Sequence, residues 1–212
     1  MKILLVAATE SEIEPTFSYI NSLENAGSSN GNVIHVLITG VGMTATSFAL
    51  GSALALTEYD LAINGGIAGA FDRSLKIGEV VWVSLDCFSE LGAEDGEDFL
   101  SIDELGFGKS SIKPLHLYKG SLVSVKQVRS ITVNKIHGND ESIYKIVERL
   151  NPQTESMEGA AFFYACNEVN LPCLQIRAIS NYVERRNRGN WNIDLAIKNL
   201  NVTLIDVLKN LK

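Results

Sequence analysis

Two short segments place carboxylates where an apolar run gives way to a helix-like pattern. Thr9-Glu10-Ser11-Glu12 directly follows the apolar run 3–8. Thr-x-x-Glu is the pattern of a capping box, with Thr9 as N-cap and Glu12 reaching back to a free backbone N–H. A carboxylate at a strand-to-helix corner is also well placed to take a proton from water. Both roles stay open for Glu12. The second segment, Glu155-Ser156-Met157-Glu158-Gly159-Ala160-Ala161, opens an alanine-rich stretch. Its acids suit the positive end of a helix dipole. Alternatively, the Glu158 carboxylate accepts from two sugar hydroxyls while the Met157 thioether packs on the sugar face.

Three more segments could hold a ligand. Gly40-Val41-Gly42-Met43-Thr44-Ala45 satisfies G-x-G-x-x-A, which lets backbone approach an anion at a helix N-terminus. Asp60, further on, imitates the ribose-binding acid of a dinucleotide fold, and a plain tight turn is the other reading. Asn64-Gly65-Gly66-Ile67-Ala68-Gly69-Ala70 ends a strand in small residues, against which a flat ligand can lie. Close chain packing explains it equally. Gln175-Ile176-Arg177-Ala178-Ile179-Ser180-Asn181 is an apolar strand with polar residues at its end. Arg177 within it demands a partner, because a buried unpaired cation is costly.

The elements that must position these residues alternate in type. Apolar runs at 3–8, 33–39, 61–64, 80–85, 122–125, 131–133 and 173–179 read as strands, several too continuously apolar for a half-exposed sheet. Helices are expected at about 10–26, 43–58, 141–150, 156–169 and 191–211. The last repeats Ile193, Ile197, Leu200, Leu204, Leu208 and Leu211 on one face. This order predicts an α/β layered fold with a largely parallel sheet, whose ligands collect beyond the carboxyl ends of the strands. Residues 86–104 break the rhythm with Asp86, Glu90, Glu94, Asp95, Glu97, Asp98, Asp103 and Glu104 and no Lys or Arg. They read as a solvated excursion or as a flap.

The 212 residues carry no long linker, so one domain over 1–212 is expected. A net charge of −7 argues against nucleic acid, whose phosphates need a basic surface. Cys87, Cys166 and Cys173 lack metal-ligand spacing and read as reduced thiols of a cytoplasmic protein. The run 3–8 is too short for a signal peptide or a membrane span.

Taken in chain order, Glu12, Gly40-x-Gly42, Asn64-x-Gly66-x-Ala68-Gly69, Ser156-Met157-Glu158-Gly159 and Arg177-Ala178-Ile179-Ser180 resemble the nucleoside phosphorylase/nucleosidase superfamily. The likeness is nearest to the methylthioadenosine/S-adenosylhomocysteine nucleosidases and runs over nearly the whole chain. It implies a three-layer α/β/α sandwich around a mixed, partly barrel-like sheet, a small-molecule nucleoside substrate, no cofactor or metal, and a homo-oligomer. By the matching motifs, Glu12 activates the attacking water, Met157 and Glu158 bind the ribose, and Gly42 is a further substrate-binding residue. Ala68, Gly69, Ser180 and Asn181 hold the purine, and Ile136, within Val133-Asn134-Lys135-Ile136-His137-Gly138, covers it.

Adenine-specific nucleosidases carry Ser-Asp where this chain has Ser180-Asn181. An Asn amide donates where a 6-oxo group accepts, so Asn181 predicts a 6-oxopurine such as hypoxanthine. Phosphorylases of the superfamily that this chain resembles hold phosphate with arginines, including early ones, whereas here the first Arg is Arg73 and the surroundings of Glu12 are acidic, so the resemblance implies water as nucleophile. The tail Ser180-Asn181-Tyr182-Val183-Glu184-x-Arg186-Asn187 with Trp191 is similar to the futalosine hydrolase branch of the superfamily. That likeness assigns Arg185, Arg186 or Arg188 to a carboxylate on the 5′ extension, with Arg186 the choice, while a solvated basic cluster is the alternative. A phosphorylase, an oxidoreductase resting on Gly40 and Gly42, and a non-catalytic nucleoside binder are the competing functions.

Overall fold

The computed structural model describes residues 1–25, 31–116 and 125–211. Its first half runs β1 (Lys2–Ala7), α1 (Glu10–Asn25), β2 (Val33–Ile38), α2 (Met43–Leu56), β3 (Leu61–Ala70) and β4 (Val80–Cys87). Three short strands follow, β5 (Gly92–Asp95), β6 (Asp98–Ser101) and β7 (Ser111–Ile112). The chain then forms β8 (Lys126–Thr132), α3 (Asp140–Leu150), β9 (Thr154–Ser156), α4 (Gly159–Glu168), β10 (Cys173–Tyr182) and α5 (Ile193–Asn210).

From Ile3 onward β1 is apolar at every position because both of its faces are covered. Ile3, Leu5 and Ala7 join Ile13 and Ile20 of α1 and Leu200, Leu204 and Leu208 of α5 in one core. Leu4 and Val6 point the other way, into a second core with Leu50 of α2 and Phe162, Phe163 and Cys166 of α4. Each buried Leu, Ile or Phe contributes roughly 1.5–3 kcal/mol, so helices are held on both faces and an α/β/α sandwich results.

Within the sheet β3 is the hub. It lies parallel to β1 and to β10, and its end runs antiparallel to β9. β10 pairs with β4, β4 with β8 and β8 with β9, so β3, β10, β4, β8 and β9 close a ring. β1 and β2 extend the sheet from this barrel as a parallel flank.

Several elements differ from expectation. The strand expected over 61–64 continues to Ala70, so the glycine- and alanine-rich segment is strand and not a terminus: its small residues let β10 and β9 pair along it. The helix expected from 156 starts at Gly159, and Thr154–Ser156 is the short strand β9 that completes the ring. The strand expected over 122–125 lies, apart from Val125, outside the described residues. The acidic excursion contains the exposed hairpin β5–β6, but its first member, Asp86, is fully buried in β4. Asp60 sits at the amino ends of the strands, where its Oδ2 accepts from Lys2 N at 2.6 Å. That is the wrong end of the sheet for a ribose-binding acid, and the dinucleotide reading loses its second residue.

Candidate active site

The carboxyl ends of β1, β3, β9 and β10 open on one cavity of about 300 Å³. Its lining brings together Glu12, Ala68, Gly69, Ile136, Met157, Glu158, Ser180, Asn181 and Arg186 from segments far apart in sequence. Of the ten residues that the resemblance assigns to catalysis or substrate binding, Gly42 alone is not in the lining. Its N–H instead donates to Glu158 Oε1 at 3.0 Å, so it grips a lining residue from behind.

Glu12 combines the two roles left open for it. Its Oε2 accepts from Thr9 N at 3.1 Å and Thr9 Oγ1 at 3.0 Å, which is the carboxylate arm of the capping box. Its Oε1 accepts from Ile67 N at 3.2 Å. Pairing of β1 with β3 ends at Asn64, so the carboxylate takes up a strand N–H that β1 no longer reaches. A Cβ on Gly66 would come within 3.2 Å of Glu12 Oε1 and would collide with Arg177 Nη1. The bare backbone at Gly66 therefore leaves room for both side chains.

Arg177 is fully buried, and its expected partner is neutral: Nη2 donates to Asn64 Oδ1 at 2.5 Å. Its charge acts on Glu158 at a distance. Burial pushes the Glu158 carboxyl above the ordinary Glu range, while Arg177 and the Gly42 N–H pull it back and Glu12 adds repulsion. Glu158 occupies the residue before α4, yet its side chain caps nothing and is turned to Gly42.

Consecutive strand residues normally face opposite ways. Ser180 and Asn181 both line the cavity because the β3–β10 register shifts between Ile179 and Asn181, a bulge that re-aims the chain. Ser180 Oγ donates to Asn181 Oδ1 at 2.7 Å, and Asn181 Nδ2 donates to Tyr182 O at 3.0 Å. One N–H and one lone pair of the amide remain for a ligand. The chain then adds Arg186 and Trp191 to the lining: the Arg186 guanidinium lies 5.2 Å from the Trp191 ring centre, and Asn192 N donates to Ser180 O at 2.8 Å. Arg186 meets no carboxylate within 4.0 Å among the described residues.

The sequence reading missed a pair in the lining. Glu155, given there to a helix dipole, lies in β9 and is 4% exposed. Its Oε2 meets His137 Nδ1 at 2.6 Å, and its Oε1 accepts from His137 N at 3.1 Å. The pattern Glu155-x-Met157-x-Gly159 carries no sign of this, since the partner is on another segment. Among the described residues no group of three His, Cys, Asp or Glu could hold a metal, and no helix is long and apolar enough to cross a membrane.

A barrel-flank α/β/α sandwich with a carboxylate-lined pocket at its strand ends defines a nucleoside phosphorylase-like protein. The chain belongs to the phosphorylase superfamily, whose family model matches residues 10–209. It is similar to the futalosine hydrolase of Streptomyces coelicolor, at 29% identity over 143 residues covering 66% of this chain and 61% of that protein. It is also similar to the 5′-methylthioadenosine/S-adenosylhomocysteine nucleosidase of Colwellia psychrerythraea, at 25% identity covering 100% of this chain and 97% of that one. Among solved structures, the native futalosine hydrolase of Helicobacter pylori shares the fold, with a TM-score of 0.81 and 15% identity over 100% of this chain and 98% of that chain.

Proposed function

We propose that this chain hydrolyses the N-glycosidic bond of a 6-oxopurine nucleoside, with futalosine as substrate and hypoxanthine and dehypoxanthine futalosine as products, in menaquinone biosynthesis. The observation that carries the choice of base is Asn181, whose free N–H suits O6 and whose free lone pair suits a protonated N7. Similarity to proteins named for both futalosine and methylthioadenosine cleavage supports the reaction class.

In this reading the bond breaks through an oxocarbenium-like ribose while negative charge builds on the purine. Asn181 and Ser180 stabilise the departing base as N7 takes a proton. Glu158 accepts from the ribose hydroxyls and Met157 packs on the sugar. Ala68, Gly69 and Ile136 enclose the base. Glu12 takes the proton of the attacking water. Glu12, Glu155, Glu158 and Glu184 line the cavity against the single guanidinium of Arg186, a balance that disfavours a phosphate dianion and favours water. Arg186, stacked on Trp191 and without a carboxylate partner among the described residues, pairs with the carboxylate of the 5′ extension. The reading also includes a cytoplasmic location, consistent with three free buried cysteines. It includes a homo-oligomer too, for which exposed Val41, Phe48 and Leu91 offer apolar surface.

The test is release of free base from futalosine, inosine and methylthioadenosine, each with and without phosphate. Hypoxanthine from futalosine without phosphate is expected. A requirement for phosphate would make the chain a phosphorylase, and adenine release alone would overturn the role given to Asn181.

A further inference from the structure

The mechanism above gives the His137–Glu155 pair of the pocket wall no contact with substrate. β9 places Glu155 opposite Gly69 in the sheet. A Cβ on Gly69 would lie 3.5 Å from Glu155 Cγ and 3.3 Å from Asn181 Nδ2, so the two side chains flank the same glycine. Glu155 thus stands on the side of the cavity where Asn181, the proposed base-selecting residue, lies.

An ionised carboxylate only accepts hydrogen bonds, so His137 Nδ1 carries the proton in its 2.6 Å contact. The backbone N–H of His137 binds the other oxygen at 3.1 Å. Two donors from one residue hold the carboxylate in place, and each oxygen keeps acceptor capacity toward the cavity it lines. The next residue, Ser156, also lines the cavity and has a buried hydroxyl with no partner among the described residues, a second polar atom left for a ligand.

We infer that Glu155, positioned by His137, accepts the N1–H of a 6-oxopurine and is, with Asn181, a second determinant of base choice. The inference rests on the nucleosidase reading above and adds a contact to it. A 6-oxopurine carries a proton on N1 and a 6-aminopurine carries a lone pair there. A fixed carboxylate attracts the first and repels the second, so discrimination has a repulsive part that Asn181 alone does not supply.

Equilibrium binding of free bases tests this without catalysis. The unmodified protein is expected to bind hypoxanthine at least about tenfold more tightly than 1-methylhypoxanthine, in which the N1 proton is gone, and than adenine. Glu155→Gln, with an amide N–H to offer N1, is expected to narrow the hypoxanthine-to-adenine ratio about tenfold or more. His137→Ala is expected to weaken hypoxanthine binding while Glu155 remains. Equal binding of hypoxanthine and 1-methylhypoxanthine by the unmodified protein would overturn the inference even if no variant folds, and would leave the nucleosidase reading standing. An unchanged ratio in a folded Glu155→Gln protein would do the same. Binding of no purine base would overturn both.

Discussion

Gly42 donates its backbone N–H to Glu158 Oε1 at 3.0 Å, joining the start of α2 to the start of α4. Gly42 has φ 96°, a conformation that side chains rarely adopt, although a Cβ there would meet nothing within 4 Å. Gly42→Ala therefore costs backbone strain alone, about 1–3 kcal/mol, and a Tm several degrees lower. This donor is also one of the influences holding the Glu158 carboxyl down against burial.

Activity at low pH should report that second effect. On the proposed reading Glu158 must be ionised to accept ribose hydroxyls, so kcat/KM is expected to rise with pH through a limb above the ordinary Glu range, set by burial. If Gly42→Ala loosens the hydrogen bond, the limb moves to still higher pH. Glu158→Gln should remove the limb and most of the activity. A pH profile with the same limb in all three proteins would exclude Glu158 as its source.

Glu12→Gln separates the cap from the base. Gln keeps an oxygen to accept from Thr9 N or Ile67 N, so the corner is expected to survive with its stability changed by about 1 kcal/mol or less. It cannot take a proton from water, and kcat is expected to fall on the order of 10²–10⁴. Comparable loss in KM with kcat preserved would assign Glu12 to binding instead.

Asn181→Asp reverses the sense of the proposed base contact. Because Asn181 Nδ2 also donates to Tyr182 O, an ionised Asp would place two acceptors together, and the variant is expected to hold a proton or lose roughly 1–3 kcal/mol. The ratio of kcat/KM for 6-amino over 6-oxo nucleosides should rise about tenfold or more. Competition between inosine and adenosine in one vessel reads that ratio directly, and no change would remove Asn181 from base choice.

What could be read in the sequence follows from how local its cause is. The apolar faces of β1 and α5, and the motifs at Glu12, Glu158 and Ser180-Asn181, are local patterns, and the structure gathers those residues in one cavity. Non-local causes were not legible. β9 is three residues whose strand character comes only from β8 and β3 on either side. The bulge that turns Ser180 and Asn181 to the same side depends on the β3 register, and the His137 partner of Glu155 depends on a ring closed by distant strands. The partner that Arg177 demands, Asn64, likewise lies on another strand.

Asp86 gives a prediction about stability away from the pocket lining. It is buried under the first turn of α4, where a Cβ on Gly159 would collide with its Oδ2. Thr132 Oγ1 and Cys87 N donate to Oδ1 at 2.9 Å, and Gln175 Nε2 donates to Oδ2 at 3.0 Å. Desolvation outweighs these donors and the charge of Arg177, and pushes the carboxyl up to about 6. With a raised folded value, the folded protein keeps a proton that the unfolded chain has already released. Stability on this account falls as pH rises from about 4 to about 6 and stays at the lower level above that. At about 1.4 kcal/mol per pKa unit, the decline is about 3 kcal/mol. Asp86→Asn is expected to abolish that decline, with Gln175 turned over so that its unpartnered Oε1 accepts from the new amide. Urea denaturation of both proteins across this range would show it. A wild-type curve that rises with pH, or parallel slopes in the two proteins, would mean that Asp86 is ionised throughout and that its three donors outweigh its burial.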